Sequence, residues 1–165
     1  MVGYFHWPFL ANVSLAFDMI TAYGGSRWCN DMILRWAGKN PVGLASLKSD
    51  NALEVYGEFF TNPETIRASN EDYRAGAFED VDMQTEDQKA GRKIARNLGV
   101  LLVYSSDYIG RRHDVESEWR GWVEEGTHVK SSGLGNGIGH FLPEEAPQET
   151  AKVIREWLEE LGVGV

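Results

Sequence analysis

The chain has 165 residues, 42% hydrophobic and 12% aromatic, which suits one packed domain and excludes a disordered segment. Its formal net charge of -9 argues against sequence-blind nucleic-acid binding, which depends on lysine and arginine neutralising phosphates. A single cysteine, Cys29, excludes an internal disulfide and a thiolate zinc cluster, and no apolar run reaches the roughly 18 residues of a membrane span.

The N-terminus lacks the basic segment and apolar core of a secretory signal, so a cytoplasmic protein with no membrane partner is expected. The opening, Val2 to Ala11, is aromatic and apolar almost at once, a composition more usual inside a protein than at a free terminus. Gly24-Gly25 predicts a turn, and Ile33, Leu34 and Trp36 a short apolar helix face. Gly38 to Gly43 reads as a helix break. Ser49 or Asp50 can cap a helix carrying Leu53, Val55, Tyr56, Phe59 and Phe60. Asn62-Pro63-Glu64 is a helix start, with Asn as cap and Pro in the first turn, and that helix runs toward Gly76. Asp80 to Ala95 is charged at helical spacing and reads as a solvated connector.

Gly99 to Tyr104 is a continuous apolar run, the pattern of a parallel strand covered on both faces. Asp114 is placed to cap the helix that follows, and Thr127 to Ser132 predicts a weaker second strand. The last helix has Pro147 in its first turn and Ile154, Trp157, Leu158 and Leu161 on one face. The order strand, helix, strand, helix is a βαβα unit. The expected fold class is α/β, with a helical region over residues 1–95 and a βαβα portion of a parallel sheet over 96–165.

Between the second strand and the last helix, Gly133, Gly135, Gly137 and Gly139 alternate ahead of His140. Glycines open backbone angles closed to other residues, so the run reads as a loop presenting one imidazole. Histidine suits general-base work because its ordinary pKa, about 6.5, lies near working pH. From the loop alone His140 is equally a histidine bonded to backbone. Carboxylates just after a parallel strand often sit at the active edge of an α/β sheet, and Asp107 and Asp114 are the two available.

Three stretches together resemble the α/β-hydrolases, in the branch of the haloacetate (fluoroacetate) dehalogenases and their epoxide-hydrolase relatives. They are Tyr4-Phe5-His6-Trp7, Glu71-Asp72-Tyr73-Arg74-Ala75, and Gly139-His-Phe-Leu-Pro-Glu-Glu-Ala-Pro147, in the expected order. The resemblance implies a partial α/β-hydrolase fold, with residues 1–95 as cap and 96–165 as the C-terminal part of the core. It implies His140 as the base that activates water against a covalent ester, and His6, Trp7 and Tyr73 as ligands of the departing halide. Imidazole, indole and phenol groups can each donate one hydrogen bond to an anion while their rings keep water out. Without the family, the first pair reads as an aromatic packing cluster and Tyr73 as a half-buried helix tyrosine. Asp107 is either an acid that orients the base or a loop residue. No metal or organic cofactor is implied, and the implied partner is a small haloacid or epoxide.

No Gly-x-Ser-x-Gly or Gly-x-Asp-x-Gly nucleophile turn occurs in the sequence. The expectation is therefore a hydrolase portion that is inactive alone. The alternatives are an epoxide-hydrolase-like parent, for which Tyr73 is the one tyrosine placed by motif, and a non-catalytic remnant that self-associates through an exposed sheet edge.

Overall fold

A computed structural model of the chain describes residues 4–163, so residues 1–3 of the apolar opening lie outside the description. In chain order its elements are α1 (His6–Ala11), α2 (Val13–Tyr23), α3 (Gly25–Trp36), α4 (Pro41–Leu47), α5 (Ala52–Phe59), α6 (Pro63–Ala77) and α7 (Glu79–Lys89). Then follow β1 (Val100–Ser105), α8 (Val115–Arg120), β2 (Val129–Leu134), α9 (Leu142–Glu145) and α10 (Pro147–Glu160). Packing divides them into two units: residues 4–35 with Asn51–Gly91, and Trp36–Asp50 with 92–163. A single boundary near residue 95 is expected from the sequence. The chain instead enters the second unit early, because α4 packs on α9.

The first unit is helical. Asn62 caps α6 by accepting the Glu64 N–H at 3.0 Å, and Pro63 occupies the first turn, where a missing N–H costs nothing. Gly24, at φ 99°, takes the turn between α2 and α3. Leu10, Ala16, Ile20 and Ile66 form its core, with Phe9, Phe17, Trp28, Phe60 and Tyr73 packed against them. Burying each large side chain of this kind contributes about 1.5–3 kcal/mol. The charged helix α7 has no buried residue, as its composition predicts.

The second unit holds the β1-α8-β2-α10 order. β1 and β2 pair in parallel, with Val100 opposite Val129 and Ser105 opposite Leu134. Leu102, Val123 and Val129 form the core, with Ile94, Val100 and Val115 against it. Asp114 caps α8, accepting the Ser117 N–H at 3.1 Å. Two expectations fail here. The apolar run of β1 predicts cover on both faces, yet only Leu102 and Ser105 are buried, because a sheet of two strands among the described residues carries little helix: α10 packs on both strands and α8 on β2. In α10, Trp157 is buried while Ile154 and Leu161 are exposed, since the short sheet offers little surface to cover the full stripe.

Candidate functional site

The glycine loop begins where β2 ends. Of its alternating glycines only Gly137, at φ 75°, uses the left-handed region, beside Asn136 at 58°. Gly139 is needed for a different reason: a Cβ there would sit on the backbone of Ala37 and Gly38. Gly135 has open space around it and an ordinary φ. The loop is thus pressed onto the segment that follows α3, and two glycines, Gly38 and Gly139, let the two backbones meet.

Hydrogen bonds fix that meeting almost residue by residue. The Gly137 carbonyl accepts from Lys39 N–H at 2.8 Å and Asn40 N–H at 3.2 Å, and Asn40 Nδ2 donates to the Asn136 carbonyl at 2.8 Å. The Ser105 hydroxyl, buried at the end of β1, donates to the Ile138 carbonyl at 2.6 Å. His140 N–H donates to the Trp36 carbonyl at 3.1 Å. Glu145, 3% exposed, accepts from Gly38 and Gly139 N–H at Oε2 (2.7 and 2.9 Å) and from Phe141 N–H at Oε1 (3.1 Å). A backbone held at this many points does not wander, so the direction of the side chain at 140 is set by its frame.

That side chain is exposed. Its ring lies among three aromatic rings, with centroids 5.0 Å from Phe141, 5.7 Å from Tyr108 and 6.5 Å from Trp36, all edge-on. Among the described residues the imidazole nitrogens make no hydrogen bond, so either can meet a water.

Asp107, the sequence's candidate for an orienting acid, is engaged elsewhere. Its Oδ2 accepts the Gly137 N–H at 2.7 Å and its Oδ1 the Arg111 guanidinium at 2.8 Å. The Gly137 N–H, then Arg111, hold its carboxyl below the usual carboxylate range. Its hydrogen bonds thus anchor the loop, and none goes to His140. Asp114 is occupied as the α8 cap.

In the helical unit the structure brings His6, Trp7 and Tyr73 together where α1 packs on α6. Ring centroids are 5.8 Å for His6 and Tyr73, 5.7 Å for Trp7 and Tyr73, and 6.2 Å for His6 and Trp7. His6 is 6% exposed and Trp7 is 47% exposed, so the cluster is closed at one ring and open at another. Arg74 pairs with Glu71 and Glu79 at 2.6 Å each and is a surface ion-pair residue.

Each unit has a cavity that lies away from His140 and the aromatic trio. One of about 240 Å³ is lined by Asn40, Gly43, Ser46, Gly135 and Glu145, and one of about 710 Å³ by Gly24, Ser26, Asn30, Phe60 and Ile66. Neither includes His140 or the aromatic trio. Among the described residues no three His, Cys, Asp or Glu side chains gather as a metal-holding set, and no helix is long and apolar enough to cross a membrane.

Sequence reasoning missed Glu145 and Ser105. Glu145 looks like an acid near a helix N-terminus, and its partner Gly38 is 107 residues away. The apolar run before Ser105 places it at a strand end, but nothing local marks its hydroxyl as a loop tie.

The geometry has parallels among known proteins. No protein-family model matches the chain. A fluoroacetate dehalogenase from a Burkholderia species is 24% identical over 163 residues, 99% of this chain and 50% of that protein. Among solved structures, a protein from Nostoc sp PCC 7120 provisionally assigned to the α/β-hydrolases is 34% identical, with a TM-score of 0.79 over 95% of this chain and 50% of its own. A protein from Pseudomonas aeruginosa provisionally assigned as an epoxide hydrolase is 26% identical, with a TM-score of 0.76 over 96% of this chain and 49% of its own. One from Salmonella enterica, provisionally assigned as an acyltransferase, is 26% identical with a TM-score of 0.80 over 95% of this chain and 48% of its own. The chain spans about half the length of the relatives it matches. It carries part of the α/β-hydrolase fold and resembles the dehalogenase and epoxide-hydrolase members.

Proposed function

We propose that the chain supplies the base and the halide-binding groups of a haloacetate-dehalogenase type of hydrolysis. In that reaction a carboxylate oxygen displaces halide from the substrate carbon, giving an ester and a halide ion. His140 then takes a proton from water as the water oxygen adds to the ester carbonyl. Collapse breaks the ester bond, returning the carboxylate and releasing a hydroxy acid, and the imidazolium gives its proton to solvent. The observation that carries this reading is His140 itself: an exposed imidazole with unbonded nitrogens on a loop whose backbone is fixed at every residue from Gly137 to Phe141. His6, Trp7 and Tyr73 take the halide through ring N–H and phenol O–H donors, which stabilise an anion without bringing a full charge of their own.

The attacking carboxylate has no counterpart in this sequence, so the chain by itself forms no ester. A placed base contributes about 10²- to 10⁴-fold and does not replace a nucleophile. Purified chain incubated with fluoroacetate is expected to release no fluoride. Steady release that disappears in His140→Ala would overturn the statement of inactivity. The halide role is read separately: iodide is expected to quench fluorescence saturably in the wild type and only collisionally in Trp7→Phe and Tyr73→Phe. Linear quenching in all three removes the halide site.

A second reading rests on the sheet. An unpaired strand edge presents a row of free N–H and C=O groups that can pair with another chain, and here β1 has a strand neighbour on one edge only among the described residues. Association through that edge predicts a dimer or larger species by light scattering, and a monomer at high concentration removes it.

A further inference from the structure

Glu145 is a buried carboxylate that the reaction above leaves without a task. It lies in the last turn of the four-residue helix α9, yet its side chain turns back over that helix to the loop. Oε2 takes the N–H of Gly139 at 2.9 Å and Oε1 the N–H of Phe141 at 3.1 Å, the two residues on either side of His140. Oε2 also takes the N–H of Gly38 at 2.7 Å, and so bridges the loop to the segment it rests on. Between these bonds the His140 N–H meets the Trp36 carbonyl at 3.1 Å. Three consecutive backbone N–H groups are therefore fixed with His140 in the middle.

A plain helix cap needs one oxygen and one or two N–H groups of its own helix. Glu145 uses both oxygens, spends all three of its bonds on residues outside α9, only Phe141 being that helix's N-cap, and is 3% exposed. Taking a carboxylate out of water is costly unless its lone pairs are met, and charge-assisted bonds to N–H groups are roughly twice as strong as neutral ones. We infer that Glu145 is a positioning residue for His140, aiming the imidazole by clamping the peptide N–H groups on both sides of it. The inference rests on reading His140 as the base and names what points it.

The chemistry of the obvious variants follows. Gln at 145 has one acceptor oxygen. Whichever way its amide turns, an NH2 group faces a backbone N–H, so at least one of the three bonds is lost. Asp keeps the charge but is one methylene shorter and does not span from Gly38 to Phe141.

The test reads ring geometry by NMR, in the full chain. In the wild type the His140 ring protons are expected to show cross-peaks to the Tyr108 and Phe141 rings, with a single side-chain χ1 state. In Glu145→Gln and Glu145→Asp those cross-peaks are lost and χ1 averages, while the amides of β1, β2 and α10 keep their positions. A merely structural tie would lower the melting temperature and leave the ring cross-peaks of the folded protein intact. That outcome overturns the inference. Should neither variant fold, the wild type decides. Through-hydrogen-bond couplings are expected from the Gly139 and Phe141 amide nitrogens to the Glu145 carboxyl carbon, and absence of both refutes the clamp. Base chemistry is read by turnover once a nucleophile-bearing partner is supplied. Ring orientation is read with no reaction at all, so the two readings can fail independently.

Discussion

The loop bearing His140 and the cluster of His6, Trp7 and Tyr73 are held in place by opposite means. In the loop, backbone groups meet backbone groups and buried polar side chains, and two glycines have no Cβ because another chain segment occupies the space. In the cluster, the side chains themselves are the structure: Tyr73 meets His6 and Trp7 at near right angles, those two are tilted to each other, and Tyr73 packs on the apolar core of the helical unit. A site built from side chains tolerates shifts of backbone and fails when volume is removed. A site built on backbone keeps one side chain free for chemistry and fails when volume is added or a polar tie is cut.

That contrast can be broken from the cluster's side first. Ile20, 1% exposed in the core that backs Tyr73, should lose about 2–5 kcal/mol as Ile20→Ala, the ordinary range for a buried large-to-small change with its cavity. Urea unfolding measures it, and a loss below about 1 kcal/mol would mean the helical unit is not held by packing. The loop should respond less and to the opposite kind of change. Gly139→Ala drives a Cβ into the Gly38 backbone and is expected to cost about 1–3 kcal/mol, as overpacking does. Gly135→Ala, only four residues earlier, meets nothing within 4 Å at an ordinary φ and should be neutral or stabilising by up to about 1 kcal/mol. Equal losses at the two glycines, read by thermal midpoint, would show that the loop's glycines serve flexibility rather than close approach.

What was legible in the sequence follows the same division. Signals that act over a few residues came through: Asn62-Pro63 starting α6, Asp114 capping α8, and the apolar run of β1. The loop that presents His140 was legible as well, because glycines around one histidine are a local pattern. Asn40-Pro41 carries the same start signal as Asn62-Pro63, and Asn40 caps α4 by accepting the Val42 N–H at 2.9 Å. The nearby glycines made it read as a break. Gly43 is there because the Glu145 backbone and Ile138 lie against it, a tertiary reason with no local trace. The roles of Asp107 and Glu145 were hidden for that reason too. Each bonds a backbone N–H well away in the chain, and an acceptor's partner is not written beside it. Ile154 and Leu161 failed differently: periodicity marks a face that could be covered, and only packing decides how much of it is.

The mildest probe of the comparison is the outermost loop tie. Asp107 is partly exposed and its carboxyl is held low, first by the Gly137 N–H and then by Arg111. Because its pKa is lower folded than unfolded, its contribution is fully present above the ordinary carboxylate value of about 3.9. It is lost as pH falls through the lower folded value. The Gly137 amide proton should therefore shift in a step below about pH 4 in the wild type, and that step should be absent in Asp107→Asn. The variant keeps a neutral oxygen for the Gly137 N–H, so it should unfold only slightly earlier at neutral pH, with a smaller shift than Gly139→Ala. The cluster belongs to the other packing unit and makes no part of the Asp107 tie, so the resonances of His6, Trp7 and Tyr73 should not share the loop's acid step with Gly137. If they followed it, with the same midpoint and the same dependence on Asp107, the two regions would be one cooperative structure and the division between backbone-held and packing-held sites would be wrong.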